Sequence, residues 1–265
     1  MDLTVEGKAY VNGNFQDCCI GVTDGKISAI KKILKGDKHY KFNHGLILPA
    51  GIDLHVHFRD PGMTHKENFS TGSMAAAFGG VSCVFDMPNT IPQTTNPQAL
   101  SDKIDLAKKK SFVDFGIYAG VTNDNIRRIA DLGRKCSGFK IYMGSTTNSL
   151  QIDTINLKQA FKEIVSTNKP VLIHAEDDAC LDVHSTKENN LTDHLRSRPS
   201  KCEEKAISDV IEATRGINLK AHICHLSSYV GLELLKNRTE NISCGATPHH
   251  LLFGIEKNTG SQTHY

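Results

Sequence analysis

The chain has 265 residues, of which 39% are hydrophobic and 21 are glycine, and this is enough to build a large folded core. Its 31 lysines and arginines nearly balance 29 aspartates and glutamates, so the formal net charge is +2. This composition excludes a mainly disordered chain and a protein that binds nucleic acid by charge. No window approaches the roughly 18 uninterrupted apolar residues of a membrane helix, and the start MDLTVEGKAY lacks the pattern of a secretory signal. We therefore expect a cytoplasmic protein with neither a membrane nor a nucleic-acid partner.

The first 45 residues differ in pattern from the rest of the chain. VEGKAYVNGNF, DCCIGVTDGKISAIKK and KHYKFNHGL alternate polar and apolar residues between glycine or asparagine turns. Such short strands joined by tight turns predict a small β-sandwich-like module over residues 1–45.

From residue 46 onward, short apolar segments alternate with longer segments of helical periodicity. The predicted strands span 46–58, 81–87, 112–121, 138–143, 170–175, 219–226 and 241–246. The predicted helices span 69–78, 97–110, 124–135, 155–167, 202–215 and 229–237. Strict alternation at about 30 residues per unit predicts a parallel sheet covered by helices. That sheet is either closed as a (β/α)₈ barrel or open and doubly wound.

The 8 cysteines are scattered, without a C-x-x-C motif, and many lie in apolar or helical segments. In a cytoplasmic protein this pattern predicts reduced and mostly buried thiols.

Histidine is unusually frequent, with 13 residues, and four of these lie at predicted strand ends. His55 and His57 are two apart in one strand, so their side chains point to the same side, about 6.6 Å apart along it. His174 and His225 each lie near the carboxyl end of another strand, which is where barrel enzymes carry their active sites. A nitrogen-rich cluster of this kind suits zinc, and zinc favours hydrolysis of an amide.

Four other residues are interpreted from local pattern alone. Lys140 lies among apolar residues at a strand end, where a lysine commonly extends its amine to solvent at the barrel rim. His222 precedes His225 by three and so points to the opposite face of the strand. His249 and His250 lie at the end of the seventh strand, where either one faces the site or both have a structural role.

Seven segments, in order along the chain, carry a family resemblance. They are LPAGIDLHVHFRDPG, THKENFSTGSMAAAFGG, FDMPNT, GFKIYMGS, VLIHAED, HICHLSS and GATPHHLLF. Together they resemble the dihydroorotases of the amidohydrolase superfamily, from about residue 46 to the end. The resemblance implies a metal-lined (β/α)₈ barrel with a small β domain. It also implies reversible cyclisation of N-carbamoyl-L-aspartate to L-dihydroorotate in pyrimidine biosynthesis.

The resemblance also implies a set of site residues. His55 and His57 would hold a first zinc ion, His174 and His225 a second, and Lys140, carboxylated on its amine, would bridge the two. Some members of the family bridge with an aspartate, but GSTTNSLQ offers no carboxylate before Asp153, so we favour Lys140.

The resemblance further implies how the substrate is bound. Arg59 and Asn89, together with His57, would hold the substrate carboxylate, which suits the planar guanidinium of an arginine. The expected partner is therefore a small-molecule substrate.

Two alternatives remain open at this stage. Allantoinases and dihydropyrimidinases resemble the chain but commonly lack the arginine at position 59. The second alternative is a non-catalytic dihydroorotase-like scaffold. The retention of five converging metal ligands argues against this alternative.

The family resemblance also implies a homo-oligomer and leaves association with aspartate transcarbamoylase open. A phosphate-binding α/β protein is disfavoured, because no G-x-G-x-x-G or P-loop motif follows a strand.

The chain departs from the family pattern near its end. A complete barrel needs about 250 residues, and residues 46–265 supply only about seven of eight units. No D-x-A-P-H-like string occurs, although the family carries its catalytic aspartate there. We therefore expect a fragment of a longer chain, inactive by itself, in which the catalytic aspartate has no position.

Overall fold

The structure, a computed structural model, describes residues 1–144, 150–236 and 241–253, apart from the side chain of Leu191. By its internal contacts the chain divides into two units, Met1–Gly51 and Ile52–Tyr265. Most of the loop after Lys140, the end of the last predicted helix and the final twelve residues lie outside the described ranges. Within those ranges, the search for a helix long and apolar enough to cross a membrane finds none.

The first unit contains one four-stranded sheet in the order β3-β2-β1-β4. Its strands are β1 (Leu3–Val11), β2 (Asn14–Thr23), β3 (Lys26–Lys31) and β4 (Lys38–Lys41). Asn12-Gly13 and Asp24-Gly25 form the two hairpin turns, and all four residues have positive φ. This backbone conformation suits Asn-Gly and Asp-Gly pairs, whose twist matches that of the flanking strands.

The second unit contains a seven-stranded sheet in which the strands follow one another in chain order. They are β5 (Gly51–Val56), β6 (Val81–Asp86), β7 (Asp114–Val121), β8 (Gly138–Tyr142), β9 (Val171–His174), β10 (Ala221–Ile223) and β11 (Ile242–Cys244). Neighbouring strands from β6 to β11 pair in parallel.

The sheet curls strongly. β5 and β10 are five strand spacings apart, or about 24 Å in a flat sheet. His55 lies in β5, and His225 follows the end of β10. The ring centroids of these two histidines are only 5.6 Å apart. The structure therefore confirms the prediction of an incomplete (β/α)₈ barrel with seven strands in sequence.

Helices follow the strands along the second unit. They are α1 (Phe69–Phe78), α2 (Pro97–Lys110), α3 (Ile129–Gly133), α4 (Thr154–Ser166), α5 (Asp178–His184), α6 (Leu191–Ser197), α7 (Ser200–Thr214), α8 (Tyr229–Lys236) and α9 (Pro248–Leu252). The side chains of Asn68 and Asn96 cap α1 and α2 by accepting hydrogen bonds from backbone N–H groups in the first turn. Both helices span the ranges predicted from the sequence.

Several predicted elements have different bounds in the structure. The segment 46–58 is a strand only over Gly51–Val56, and the predicted helix 124–135 is a 3₁₀ turn, Ile126–Arg128, followed by the short α3. Helices α5, α6 and α9 were not predicted. The first two lie in a largely polar segment without apolar periodicity, so the sequence gives no pattern there from which a helix could be predicted.

The side chains on the two faces of β8 have different surroundings. Phe139 and Ile141 are fully buried in the main core between the sheet and the helices. Lys140 and Tyr142 alternate with them, so they point into the curled sheet. The inside is therefore lined by polar as well as apolar side chains at the carboxyl ends of the strands.

The prediction that all cysteines are reduced is wrong for one pair. Cys180 in α5 and Cys202 in α7 form a disulfide, with 5.4 Å between their Cα atoms. The other six cysteines are free thiols, and four of these are buried. The two partners are 22 residues apart in the chain, and only the packing of α5 against α7 brings them together.

Candidate metal centre

His55 and His57 lie at the carboxyl end of β5 and converge on one point. The Nε2 atoms of the two rings are 3.2 Å apart. Two nitrogens bound at 2.0–2.1 Å to one tetrahedral zinc ion would be about 3.3 Å apart. The first pair therefore fits a shared metal ion through Nε2 of each ring.

His174 and His225 form a second pair with the same spacing. His174 is the last residue of β9, and its Nδ1 lies 3.1 Å from Nε2 of His225. His225 follows β10 with a φ of 38°, a left-handed conformation that is uncommon for a residue with a side chain. This conformation ends the strand and accompanies the inward position of the ring, so the second pair also fits one metal ion.

The outward-facing nitrogens of two rings are held by acceptors. His57 Nδ1 lies 2.7 Å from Asn89 Oδ1. His174 Nε2 lies 2.7 Å from Glu176 Oε2. Each contact fixes the tautomer that leaves a lone pair on the nitrogen facing the paired histidine. Such outer partners are typical of histidines that bind metals.

Burial keeps three of the four paired histidines neutral. Loss of solvation lowers the pKa of His57 to about 4, of His225 to about 3 and of His55 to about 2. The charge of Lys140 adds to the decrease for all three. Near neutral pH the rings therefore offer lone pairs rather than positive charge, as metal binding requires.

Lys140 lies inside the curled sheet and has no exposed surface. The rim position that its local sequence pattern favours is therefore wrong. Its Nζ donates to Cys224 Sγ at 3.1 Å and lies 5.0 Å from the ring centroid of Tyr142. Burial lowers the pKa of Lys140, which favours the neutral amine. A neutral amine is nucleophilic and can react with CO₂ to give a carbamate, an anionic ligand with two oxygens.

Arg59 lies close to the same group of residues, just beyond the end of β5. The strand ends at Val56 and Arg59 has a φ of 59°, so the strand alternation does not extend to it. Its charge nevertheless lowers the pKa of His57, which places the guanidinium near the first pair. Among the described residues Arg59 forms no ion pair, because its neighbour Asp60 pairs with Lys110 instead.

Asn89 is nearly fully buried beside His57. The sequence resemblance gave it a role in binding the substrate carboxylate. In the structure its amide oxygen is engaged with His57, so its amide nitrogen is the atom from which a carboxylate could accept a hydrogen bond.

A buried ion pair supports the loop that carries these residues. Lys103 of α2 lies 2.6 Å from Asp86 Oδ2 and also donates to the carbonyl of Met87 at 2.7 Å. The other oxygen of Asp86 accepts from the backbone N–H of Phe58 at 2.7 Å. The pair therefore links β6 and α2 to the residue between His57 and Arg59.

Sequence reasoning missed this ion pair and also Glu176. A carboxylate two residues after a strand-end histidine is a weak signal, since surface glutamates are common at such positions.

Other histidines lie outside the two pairs. His222 is half-buried and bonded to Ser243, and His249 and His250 lie on the exposed helix α9. His264 lies outside the described residues.

Comparison with known proteins gives consistent relatives. Residues 44–230 match the family described as "Dihydro-orotase-like". The chain is 38% identical over 261 residues to a dihydroorotase of Methanosarcina mazei, an alignment that covers 92% of this chain and 57% of that protein. It is 38% identical over 262 residues to a dihydroorotase of Thermoplasma acidophilum, covering 98% and 59%. It is 34% identical over 269 residues to an allantoinase of Rubrobacter xylanophilus, covering 96% and 59%. The chain thus spans less than two thirds of the length of these relatives.

Solved structures show the same fold. An L-hydantoinase from Arthrobacter aurescens matches with a TM-score of 0.89 at 22% identity, covering 96% of this chain and 60% of that one. A D-hydantoinase matches with a TM-score of 0.84 at 24% identity, covering 97% and 59%.

Proposed function

Since the chain belongs to the dihydroorotase-like family, we propose that it is a metal-dependent cyclic amidohydrolase. Its proposed activity is that of a dihydroorotase, which interconverts N-carbamoyl-L-aspartate and L-dihydroorotate in pyrimidine biosynthesis. The observation that carries this proposal is the arrangement of four imidazoles in two pairs at the carboxyl ends of β5, β9 and β10. Nitrogen spacings of 3.2 and 3.1 Å fit one ion per pair.

We propose zinc as the metal, with His55 and His57 at one ion, His174 and His225 at the other, and Lys140 between them. Lys140 would be carboxylated, since a carbamate supplies two anionic oxygens where an ammonium would repel the ions. Zinc, when bound, polarises a carbonyl oxygen and makes water acidic enough to attack near neutral pH. The chain's own part is to fix the tautomers through Asn89 and Glu176 and, through burial, to lower the pKa values of His55, His57 and His225.

Arg59 supports dihydroorotate as the substrate. Dihydroorotate carries a carboxylate on its ring, whereas hydantoin and allantoin do not. A guanidinium without an ion-pair partner among the described residues can bind that carboxylate with two parallel hydrogen bonds. Asn89 can add a third from its amide nitrogen.

The test combines metal analysis with a substrate comparison. The chain and the protein extended through its natural reading frame are purified without added metal, the zinc content of both is measured by elemental analysis, and turnover of dihydroorotate, hydantoin and allantoin by the extended protein is compared. Intact-protein mass spectrometry under mild conditions detects one added CO₂, and the Lys140→Met variant should lack it. Zinc with preference for dihydroorotate supports the proposal. Bound zinc with preference for hydantoin or allantoin would move the assignment to a sister enzyme.

Allantoinase is the second candidate, and the 34% identity to the Rubrobacter xylanophilus allantoinase favours it. Protein without bound metal and without turnover of any of the three compounds would instead favour the non-catalytic scaffold. A cytoplasmic location, a homo-oligomer and association with aspartate transcarbamoylase accompany the proposal as further expectations.

A further inference from the structure

We infer that Glu176 and Arg198 are positioning residues for His174, and that the Cys180–Cys202 disulfide holds them in place. This inference rests on the proposed function, because it takes His174 as a metal ligand. It concerns the segment between β9 and α7, of which the proposed function uses only Glu176.

One carboxylate oxygen joins the two positioning residues to the ligand. Glu176 Oε2 accepts from His174 Nε2 at 2.7 Å and from Arg198 Nη1 at 2.5 Å. A carboxylate held by a guanidinium has less freedom to rotate away from the imidazole. Arg198 therefore acts on His174 through Glu176, and it fixes the direction in which Nδ1 of His174 points.

Arg198 is brought to Glu176 by the fold of a weakly packed segment. It directly follows α6, and both α5 and α6 have only 7 residues. Most side chains from 183 to 196 are exposed. Few apolar contacts hold such a segment, so its position depends on the links at its two ends.

The disulfide is the strongest of these links. It joins Cys180 in α5 to Cys202 in α7. Next to it, the backbone N–H of Asp177 donates to the carbonyl of Cys202 at 3.0 Å, and the Asp177 carboxylate pairs with Lys205 at 2.7 Å. The two ends of the segment are therefore tied together directly beside Glu176 and Arg198.

The link can be made and broken by thiol–disulfide exchange. Its formation removes two protons and two electrons from the two thiols, and a small-molecule disulfide accepts them and becomes two thiols. A dithiol reductant reverses the step. The position of Arg198, and hence the affinity of the second histidine pair for metal, should therefore depend on redox conditions.

The test uses Co²⁺ as a spectroscopic substitute for zinc, with affinity measured by competition against a chelator. Reduction of the wild-type protein, or the Cys180→Ser substitution, should weaken Co²⁺ binding and change its visible absorption spectrum. The matched control is Cys83→Ser, which removes a free thiol in β6 and should change neither. Mass spectrometry of unreduced peptides should show the Cys180–Cys202 link, and thermal unfolding verifies that each variant is folded.

Two substitutions at position 176 separate positioning from general stability. Glu176→Ala should weaken Co²⁺ binding by about 10- to 100-fold, as removal of an outer partner of a metal ligand does elsewhere. Glu176→Gln keeps an oxygen that can accept from His174 and should restore most of the affinity and the spectrum. A purely structural role would not predict this rescue.

Three results would overturn the inference. Equal Co²⁺ affinity in the wild-type protein and in Glu176→Ala would refute it while leaving the proposed function intact. Absence of Co²⁺ binding in the wild-type protein would refute both the inference and the proposed function.

The third result concerns Cys180, His184 and Cys202, which have donor atoms within 4.8 Å of one another. An additional Co²⁺ with thiolate absorption in the reduced protein would show that these cysteines bind metal and do not serve as a disulfide clamp.

Discussion

His55, His57 and His225 should make stability depend on pH. Their folded pKa values, about 2, 4 and 3, lie below the value of 6.5 that applies to an unfolded chain. Between pH 6.5 and these values the unfolded chain binds more protons, so stability falls as pH decreases. Each histidine contributes up to about 1.4 kcal/mol per pH unit.

We therefore expect the midpoint of urea unfolding of the metal-free protein to decrease from pH 7 to pH 5 and to change little from pH 7 to pH 8. His225→Gln should make the acid dependence shallower, because it removes one of the three groups. The exposed His250→Gln is the matched control. An unchanged slope in His225→Gln would contradict the assigned cause.

Arg59 should determine which cyclic amide is accepted. Replacement by lysine keeps the positive charge but loses the planar, two-pronged donor set. We expect Arg59→Lys to lower kcat/KM for dihydroorotate by about tenfold or more, which corresponds to at least about 1.4 kcal/mol, with little change for hydantoin. Parallel steady-state assays on the protein extended through its natural reading frame check this. Equal losses for both compounds would indicate that Arg59 supports the fold of the loop instead of substrate choice.

Individual site residues differed in how far the sequence could predict them. His55, His57, His174 and His225 were identifiable because strand ends in a parallel sheet meet at one edge. Spacing could not show which nitrogen of each ring faces inward, since that depends on partners such as Asn89 that are distant in the chain. The sequence likewise could not place Lys140 inside the sheet, because the same local pattern also fits an amine at the rim.

The Asp86–Lys103 pair connects two elements across the core, and its loss should be costly. Lys103→Met would leave the Asp86 carboxylate buried without its partner. We expect a loss of about 3–5 kcal/mol in the free energy of unfolding, measured with urea. Lys108→Met on the same helix, whose partner Asp105 is exposed, should cost about 1 kcal/mol or less. Similar losses in both variants would argue against a role for burial.

Elements were predictable where their ends carry a chemical signal. Asn68 before α1, and Asn96 with Pro97 at the start of α2, mark helix starts that hydrophobic periodicity then extends. The segment 46–58 is rich in apolar residues but gave no such signal, and the strand proved much shorter. Helix α5 is held by contacts with α7 and by a disulfide, and α6 by contacts with α5, none of which local sequence can show.

Metal removal should destabilise the second unit as a whole. The ligands at the end of β5 are far along the sheet from those at the ends of the neighbouring strands β9 and β10, so an ion bound to the folded chain adds its binding free energy to stability. At a free zinc concentration 100 times the dissociation constant, that amounts to about 2.7 kcal/mol. A chelator should lower the Tm of wild-type protein and leave that of His55→Gln/His174→Gln nearly unchanged. Equal shifts in both would mean that zinc stabilises some other part of the chain.

The curl of the sheet has a consequence for the speed of metal exchange. The first and sixth strands of the seven approach only through that curl, with the rings of His55 and His225 5.6 Å apart. Two metal ions joined by a bridging ligand would connect these two strands across the open end of the curled sheet. Release of a metal ion would then require the two strands to move apart. The rate of release would therefore be set by this opening motion of the sheet and not by the intrinsic lability of a zinc–imidazole bond.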